Sequence, residues 1–195
     1  MIKVGLTGGI GSGKTFVAKI FKTLEIPVYD SDTEAKKLYF RNDVRKKMTE
    51  NFGNEVYLDN GQINKVYLSK IIFNDKNALK TVNSIIHPLV KEHFDNWVKQ
   101  QDAPYIIKEA AILFESAAYK DMCKIISIIA PFELRIERVI KRDKTDKESI
   151  IKKINNQLPN EELIKRSDYY IINDEKKALL PQIIRIHQKL SGKSG

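Results

Sequence analysis

A phosphate-binding pattern lies near the start of the chain, where Gly8 is followed after four residues by Gly13, Lys14 and Thr15. This spacing is G-x-x-x-x-G-K-[ST], in which glycines let backbone N–H groups surround a β-phosphate without side-chain clashes. A helix that begins directly after such a loop directs its positive end at the same anion. The pattern predicts that Lys14 reaches the β- and γ-phosphates of a nucleotide and that the Thr15 hydroxyl binds Mg²⁺.

Two other nucleotide-binding patterns do not fit this sequence. A dinucleotide site needs G-x-G-x-x-G, but the residue three after Gly11 is Lys14 and the residue three after Gly13 is Phe16. The guanine-reading pattern N-K-x-D is also missing, since the Asn-Lys pair at 64–65 continues with Val and Tyr. The sequence therefore disfavours both a dinucleotide-binding protein and a GTPase.

Two carboxylates, Asp30 and Asp32, follow the second apolar run in the segment "YDSDTEA". In an extended segment this spacing places both on one face, at the sheet edge where the phosphate loop also lies. A carboxylate there can accept the proton of an acceptor hydroxyl or hold Mg²⁺ through water, the latter suiting Asp30. The alternative is that one of the pair caps the helix that "TEAKKLY" predicts.

Three arginines, Arg135, Arg138 and Arg142, are spaced i, i+3 and i+7 and so share one face of a predicted helix. Stripes of this kind are usually solvated. Beside a bound nucleotide, however, the spacing predicts a lid, at about residues 133–160, that neutralises the transferring phosphoryl group.

Five short apolar runs alternate with segments of helical period and predict the elements that position these residues. The runs cover residues 2–7, 26–30, 105–114, 124–130 and 169–173. Strands that are apolar on both faces and alternate with helices predict an α/β fold: a five-stranded parallel sheet with helices on both faces. Residues of about 33–100 interrupt this alternation with mainly helical patterns, which predicts an inserted helical subdomain for the acceptor.

Composition limits the remaining possibilities. A chain of 195 residues predicts one folding unit, and its net charge of +9 suits either nucleic acid, a small phosphorylated ligand or an ordinary lysine-rich surface. No apolar stretch approaches the length of a membrane span, so we expect a cytoplasmic protein without a membrane partner. The single cysteine, Cys123, fits a reducing compartment and is expected to be a core residue, and the terminal "SGKSG" is expected to be frayed.

The whole sequence resembles the dephospho-coenzyme A kinases. The resemblance rests on segments that occur in order along nearly the entire chain: "GLTGGIGSGKTFVA", "VYDSDTEA", "FGNEVYLDNGQIN", "IIHPLV", "ILFE", "RIERVIKRD" and "RSDYYIIN". It implies ATP-dependent phosphorylation of the ribose 3′-hydroxyl of dephospho-CoA, the last step of coenzyme A synthesis. It also implies a parallel sheet of the nucleoside-monophosphate-kinase type, with a helical acceptor domain and a lid.

The resemblance also assigns roles to individual residues. It implies Asp32 as the base, Arg138 and Arg142 as lid arginines, and His87 near the acceptor, although a packed histidine at a helix start is an equal alternative. The implied ATP loop comprises Gly11, Ser12, Gly13, Lys14, Thr15 and Phe16.

The chain departs from the family pattern at two positions, and these departures leave some roles open. Glu109 stands where the family often has aspartate, and Lys65 stands where it has an arginine. A lysine does not replace a bidentate phosphate clamp, so Lys65 is given no role. The roles of Glu109 and Glu115 also stay open.

Two other functions compete with this interpretation. One is a nucleoside-monophosphate or other metabolite kinase, because the same fold and loop serve many acceptors. The other is a nucleic-acid-binding ATPase, suggested by the net charge of +9. The basic residues are spread over the predicted helices without an aromatic-interleaved patch, which favours small-molecule substrates over nucleic acid. The sequence carries no signal for an oligomeric state.

Overall fold

The structure is a computed structural model that describes residues 1–144 and 146–192. Contacts divide the chain into two compact units. The first unit combines Met1–Asp30 with the described residues from Gln101 onward, and the second is Ser31–Gln100. The expected fraying of residues 193–195 lies outside the described part of the chain.

The first unit is built on a sheet of five parallel strands in the order β2-β3-β1-β4-β5. The strands are β1 (Ile2–Gly8), β2 (Val28–Asp30), β3 (Tyr105–Glu109), β4 (Lys124–Ile129) and β5 (Tyr169–Ile172). Each falls within or beside one of the five apolar runs, so the predicted parallel sheet is confirmed.

Helices account for most of the remaining described residues. In chain order they are α1 (Lys14–Thr23), α2 (Ser31–Leu38), α3 (Asn42–Phe52), α4 (Lys65–Asn74), α5 (Lys76–Val98), α6 (Phe132–Asp143), α7 (Lys147–Asn155), α8 (Asn160–Arg166) and α9 (Leu179–Ser191). None of these described helices is both long and apolar enough to cross a bilayer.

Alternate residues of the central strands supply two separate cores, one on each face of the sheet. On one face, α1 and α9 pack against β1 and β4 in a cluster that includes Leu6, Phe21 and Ile183. On the other face, Ile125 packs with Leu163 of α8 in a second cluster. The predicted placement of helices on both faces is therefore confirmed.

Three local predictions in this unit are wrong. The run 105–114 is not one strand, because β3 ends at Glu109 and the following residues turn away to pack in the second cluster. The sequence predicts an apolar stripe on α1 formed by Phe16, Val17, Ile20 and Phe21, but Phe16 is 58% exposed, whereas Val17 and Phe21 are buried. Cys123 is exposed rather than in the core.

The second unit consists largely of helices packed around the long helix α5. The buried side chains of α5 recur every four residues and form one stripe: Ala78, Val82, Ile86, Val90 and Phe94. The residues Asp59, Asn60 and Gly61 predict a turn, and it is present, because Gly61 donates to the carbonyl of Leu58 at 2.8 Å with a φ of +78°.

Candidate active site

The loop between β1 and α1 has the backbone that its glycines predict. Gly13, directly before α1, has a φ of +96°, in the left-handed region that favours glycine. A Cβ atom at this position would lie 2.3 Å from Asn173 Nδ2, so any other residue would also clash. Helix α1 begins directly after the loop, and helix N-termini generally bind anions through their backbone N–H groups.

Two side chains of the loop fit a phosphate ligand. Lys14 Nζ donates to the carbonyl oxygens of Gly8 at 2.8 Å and Gly9 at 3.3 Å, which keeps its charge over the loop. Ser12 is buried, and its Oγ has no hydrogen-bond partner among the described residues. Because a buried hydroxyl is costly to leave unsatisfied, a phosphate oxygen would complete this site.

The predicted magnesium ligand, Thr15, contacts a carboxylate that the sequence left without a role. Thr15 Oγ1 donates to Glu109 Oε1 at 2.9 Å. Glu109 ends β3 and lies between Leu6 and Asp30 in the sheet register. Sequence analysis could not place it, because the apolar run continues to residue 114 and hides the end of the strand at Glu109.

The Thr15 hydroxyl and the nearby carboxylates suit Mg²⁺ better than a metal ion whose ligands all come from the protein. The described residues contain no group of three or more His, Cys, Asp and Glu side chains that could hold a metal ion. Mg²⁺ usually keeps several water ligands and binds through a few protein oxygens and substrate phosphates. One hydroxyl beside Glu109, with Asp30 on the next strand, fits this pattern.

The argument that placed Asp30 and Asp32 on one extended face is wrong. The strand ends at Asp30 and α2 begins at Ser31, so Asp32 lies in the first turn of a helix. Asp30 belongs to the first unit and Asp32 to the second. The role of Asp32 as a base stays a prediction that rests on the family resemblance.

His87 also belongs to the second unit. It is half-buried in the middle of α5 and precedes Pro88 within that helix, so the alternative of a histidine at a helix start is wrong. Its place near an acceptor stays a prediction. Lys65 begins α4 and is exposed, and nothing in the structure gives it a role.

The three arginines of α6 differ strongly from one another. Arg138 Nη1 lies 3.4 Å from the carbonyl oxygen of Gly11, and Arg138 Nη2 pairs with Glu175 at 3.0 Å. Arg142 is exposed and binds both carboxylate oxygens of Asp143, at 2.7 and 2.8 Å, which lowers the pKa of Asp143. Arg138 therefore contacts the phosphate loop, whereas Arg142 is paired on its own helix.

Arg135 is not part of a solvated stripe. It is only 4% exposed, and burial lowers the pKa of its guanidinium. It contacts the phosphate loop through Ile10, whose carbonyl oxygen lies 2.9 Å from Arg135 Nε. Spacing could not reveal this, because helical periodicity shows which side chains share a face and not what that face contacts.

Asn173, immediately after β5, is a further contact that the sequence did not reveal. Its side-chain Nδ2 donates to the carbonyl of Ser12 at 2.8 Å, and its Oδ1 accepts from Arg138 at 3.2 Å. Asn173 thus joins the phosphate loop to α6. A single asparagine after a strand carries no pattern that would indicate such a role.

The glycine-rich loop that ends in Gly-Lys-Thr lies between α1 and β1, the central strand of the parallel sheet. This arrangement defines the class: the chain is a P-loop nucleotide-binding protein. The family model described as CoaE, dephospho-CoA kinase, matches residues 2–178. The chain belongs to the dephospho-CoA kinase family, as the sequence resemblance predicted.

One curated relative and two solved structures illustrate what this chain is similar to. A dephospho-CoA kinase from Bacteroides fragilis is 42% identical over 187 residues, which cover 95% of this chain and 91% of that protein. The crystal structure of TT1252 from Thermus thermophilus has a TM-score of 0.85 at 27% identity and covers 100% of this chain and 98% of its own. A dephospho-CoA kinase from Campylobacter jejuni has a TM-score of 0.69 at 26% identity and covers 97% of both chains.

Proposed function

We propose that this kinase transfers the γ-phosphoryl group of ATP to the ribose 3′-hydroxyl of dephospho-CoA and so forms coenzyme A. The observation that carries the proposal is the phosphate loop with Lys14 and the Thr15–Glu109 pair, in a chain of the dephospho-CoA kinase family. Family membership indicates dephospho-CoA as the acceptor, and the phosphate loop indicates a nucleotide as the phosphoryl donor.

The nucleotide side of the reaction uses the loop residues 11–16 together with α6. Lys14 exchanges its hydrogen bonds to the loop carbonyls for the β- and γ-phosphates of ATP. Arg138, which already contacts Gly11, supplies a second positive charge, and Arg142 adds a third when its side chain leaves Asp143. Charges placed where negative charge develops stabilise the transition state more than the ground state.

The residues that would hold Mg²⁺ are Thr15, directly, and Asp30 and Glu109, through water. Mg²⁺ held by these residues would offset the negative charge of the phosphate groups. Glu109 accepts the Thr15 hydrogen at 2.9 Å, which leaves the lone pairs of Oγ1 available for a cation. This orientation of a ligand by a second carboxylate is typical of metal sites.

The acceptor side involves the second unit, with Asp32 as the base and His87 near the bound acceptor. The 3′-oxygen forms a bond to the γ-phosphorus while the bond between that phosphorus and the β,γ-bridging oxygen breaks, and ADP leaves. The hydroxyl proton passes to the Asp32 carboxylate. The helical segment of about residues 33–100 binds the acceptor, and that of about 133–160 serves as the lid.

A coupled assay of ADP formation tests the proposal directly. The purified protein is given ATP and Mg²⁺ with dephospho-CoA, and in parallel with a panel of nucleoside monophosphates. We expect turnover with dephospho-CoA and a product phosphorylated at the 3′-position by mass spectrometry and NMR. A kcat/KM for any other acceptor that equals or exceeds the value for dephospho-CoA would favour a different metabolite kinase. The cytoplasmic location expected from the sequence stays a prediction.

A further inference from the structure

Both backbone polar groups of Ile10, within the phosphate loop, are held by side chains from far along the chain. The N–H of Ile10 donates to Gln157 Oε1 at 2.7 Å, and its carbonyl oxygen accepts from Arg135 Nε at 2.9 Å. Arg135 Nη2 also donates to the same Gln157 oxygen at 3.2 Å. The three residues therefore form a closed ring of hydrogen bonds, which we call the loop clamp.

The side chains around the loop clamp make it rigid. Ile10 packs against a cluster formed by α6 and α7, which includes Ile136 and Ile154. The guanidinium of Arg135 lies so close to the loop that a Cβ atom on Gly9 would be 2.0 Å from Nη2. Backbone groups, a planar guanidinium and an apolar side chain thus fix the same short segment at once.

The charge of the loop clamp suits a neighbouring anion. Arg135 is buried, and its hydrogen-bond partners are the carbonyl oxygen of Ile10 and the amide oxygen of Gln157. Within the described part of the chain, it forms no ion pair with a carboxylate. An amide at position 157 holds Ile10 without adding a negative charge beside the phosphate site. Burial of a cation without a carboxylate is costly, and a nearby phosphate group would reduce that cost.

We propose that Arg135 and Gln157 are positioning residues that hold the phosphate loop in its nucleotide-binding conformation before the nucleotide arrives. The inference rests on the proposed use of ATP but not on the identity of the acceptor. A loop that is already ordered binds without the entropic cost of ordering, so loss of the loop clamp lowers the fraction of competent protein and hence the apparent affinity.

Two substitutions test the hydrogen bonds of the loop clamp while keeping either the side-chain length or the positive charge. Gln157→Met keeps the length of the side chain but removes the acceptor oxygen. Arg135→Lys keeps the positive charge but loses the planar guanidinium that joins Ile10 to Gln157. If either variant leaves the loop competent about one-tenth of the time, the Kd for ATP rises about 10-fold. ADP should be weakened equally, because the loop binds the β-phosphate that both nucleotides carry.

The Kd values for ATP and ADP are measured by calorimetry at a temperature well below the thermal midpoint. The KM for dephospho-CoA is measured at saturating ATP. We expect both Kd values to rise about 10-fold and this KM to stay constant. Ile183→Val, in the core between α9 and the sheet, is the matched control, since it lowers the thermal midpoint without touching the loop. A purely structural role would make the clamp variants behave like this control, with unchanged nucleotide affinity, and would overturn the proposal.

A measurement on the unsubstituted protein gives an answer even if a variant fails to fold. Hydrogen exchange without nucleotide should show the Ile10 amide strongly protected, because the loop clamp exists before binding. Rapid exchange at Ile10 that slows only when ATP is added would overturn the proposal. If the unsubstituted protein binds ATP but does not phosphorylate dephospho-CoA, the proposed acceptor is wrong. The ATP affinities of the two variants would still show whether Arg135 and Gln157 position the loop.

Discussion

Replacing Glu109 by glutamine tests whether the proposed magnesium site depends on this carboxylate. Glutamine has nearly the same shape and retains an acceptor oxygen for the Thr15 hydroxyl, which lies 2.9 Å from Glu109 Oε1. The substitution therefore preserves the local hydrogen bond and removes the negative charge. The thermal midpoint should change little, whereas the affinity for Mg²⁺ should fall.

The size of the effect follows from the burial of the carboxylate. Residues that orient a metal ligand typically change metal affinity or activity about 10- to 100-fold when replaced. A fully exposed carboxylate would fall at or below the lower end of this range, because solvent screens its charge. Glu109 is only 6% exposed, so solvent screens it little and we expect a loss well above 10-fold, that is, more than about 1.4 kcal/mol.

The assay measures initial rates against free Mg²⁺ at saturating ATP and dephospho-CoA. The half-saturating Mg²⁺ concentration should rise about 10- to 100-fold in Glu109→Gln. Glu162→Gln is the control, because it removes a carboxylate that pairs with Arg166 on α8 at 3.1 Å and does not contact Thr15. If the half-saturating concentration in Glu109→Gln stays within about twofold of the unsubstituted protein, far below the effect of a ligand-orienting residue, Glu109 has no part in metal binding.

Four further substitutions test the nucleotide, base and lid roles. Lys14→Ala should lose about 3 kcal/mol of transition-state stabilisation, seen as a roughly 10²-fold fall in kcat/KM, the scale of a removed electrostatic donor. Asp32→Asn should lower kcat by about 10²–10⁴-fold at an unchanged thermal midpoint, because asparagine keeps the size of the side chain in the first turn of α2 but cannot accept the proton, whereas Asp30→Asn should cost less. Arg142→Ala should lower kcat more than it weakens ATP binding, because the charge that the arginine meets grows in the transition state.

Each of these expectations has a contrary outcome. Near-normal turnover of Lys14→Ala at saturating ATP would remove Lys14 from the catalytic residues. An unchanged kcat in Asp32→Asn, or a loss that matches its unfolding, would leave Asp32 with a structural role only. A larger loss at Asp30 would move the base to that carboxylate. If Arg142→Ala changes only the Kd for ATP, this arginine serves binding and not the lid.

Hydrophobic patterning predicted the sheet because strands buried on both faces leave a clear signal in the sequence. The same signal fails where a chain leaves the sheet and remains buried. After Glu109 the apolar character continues, but Leu113 and Phe114 pack in the second cluster and not in β3. Apolar composition records burial and not backbone conformation, so the end of this strand could not be predicted.

The candidate site was only partly predictable for a different reason. The phosphate loop is contiguous, and its spacing alone carries the chemistry of Lys14 and Thr15. Its supports are single side chains that fold against it from distant segments, such as Gln157 and Asn173. One glutamine or asparagine has no periodic partner in the sequence, and only the folded chain shows which backbone groups it binds.

The distant supports of the loop also set an order of events during synthesis. The loop motif is complete once Thr15 has been synthesised, but its supports follow more than 100 residues later, at Arg135, Gln157 and Asn173. Ligands stabilise only the state that binds them, and domains fold as their segments emerge. Cellular nucleotide therefore stabilises the nascent chain only once Asn173 is available, and the core beside α9, which includes Ile183, is completed later still.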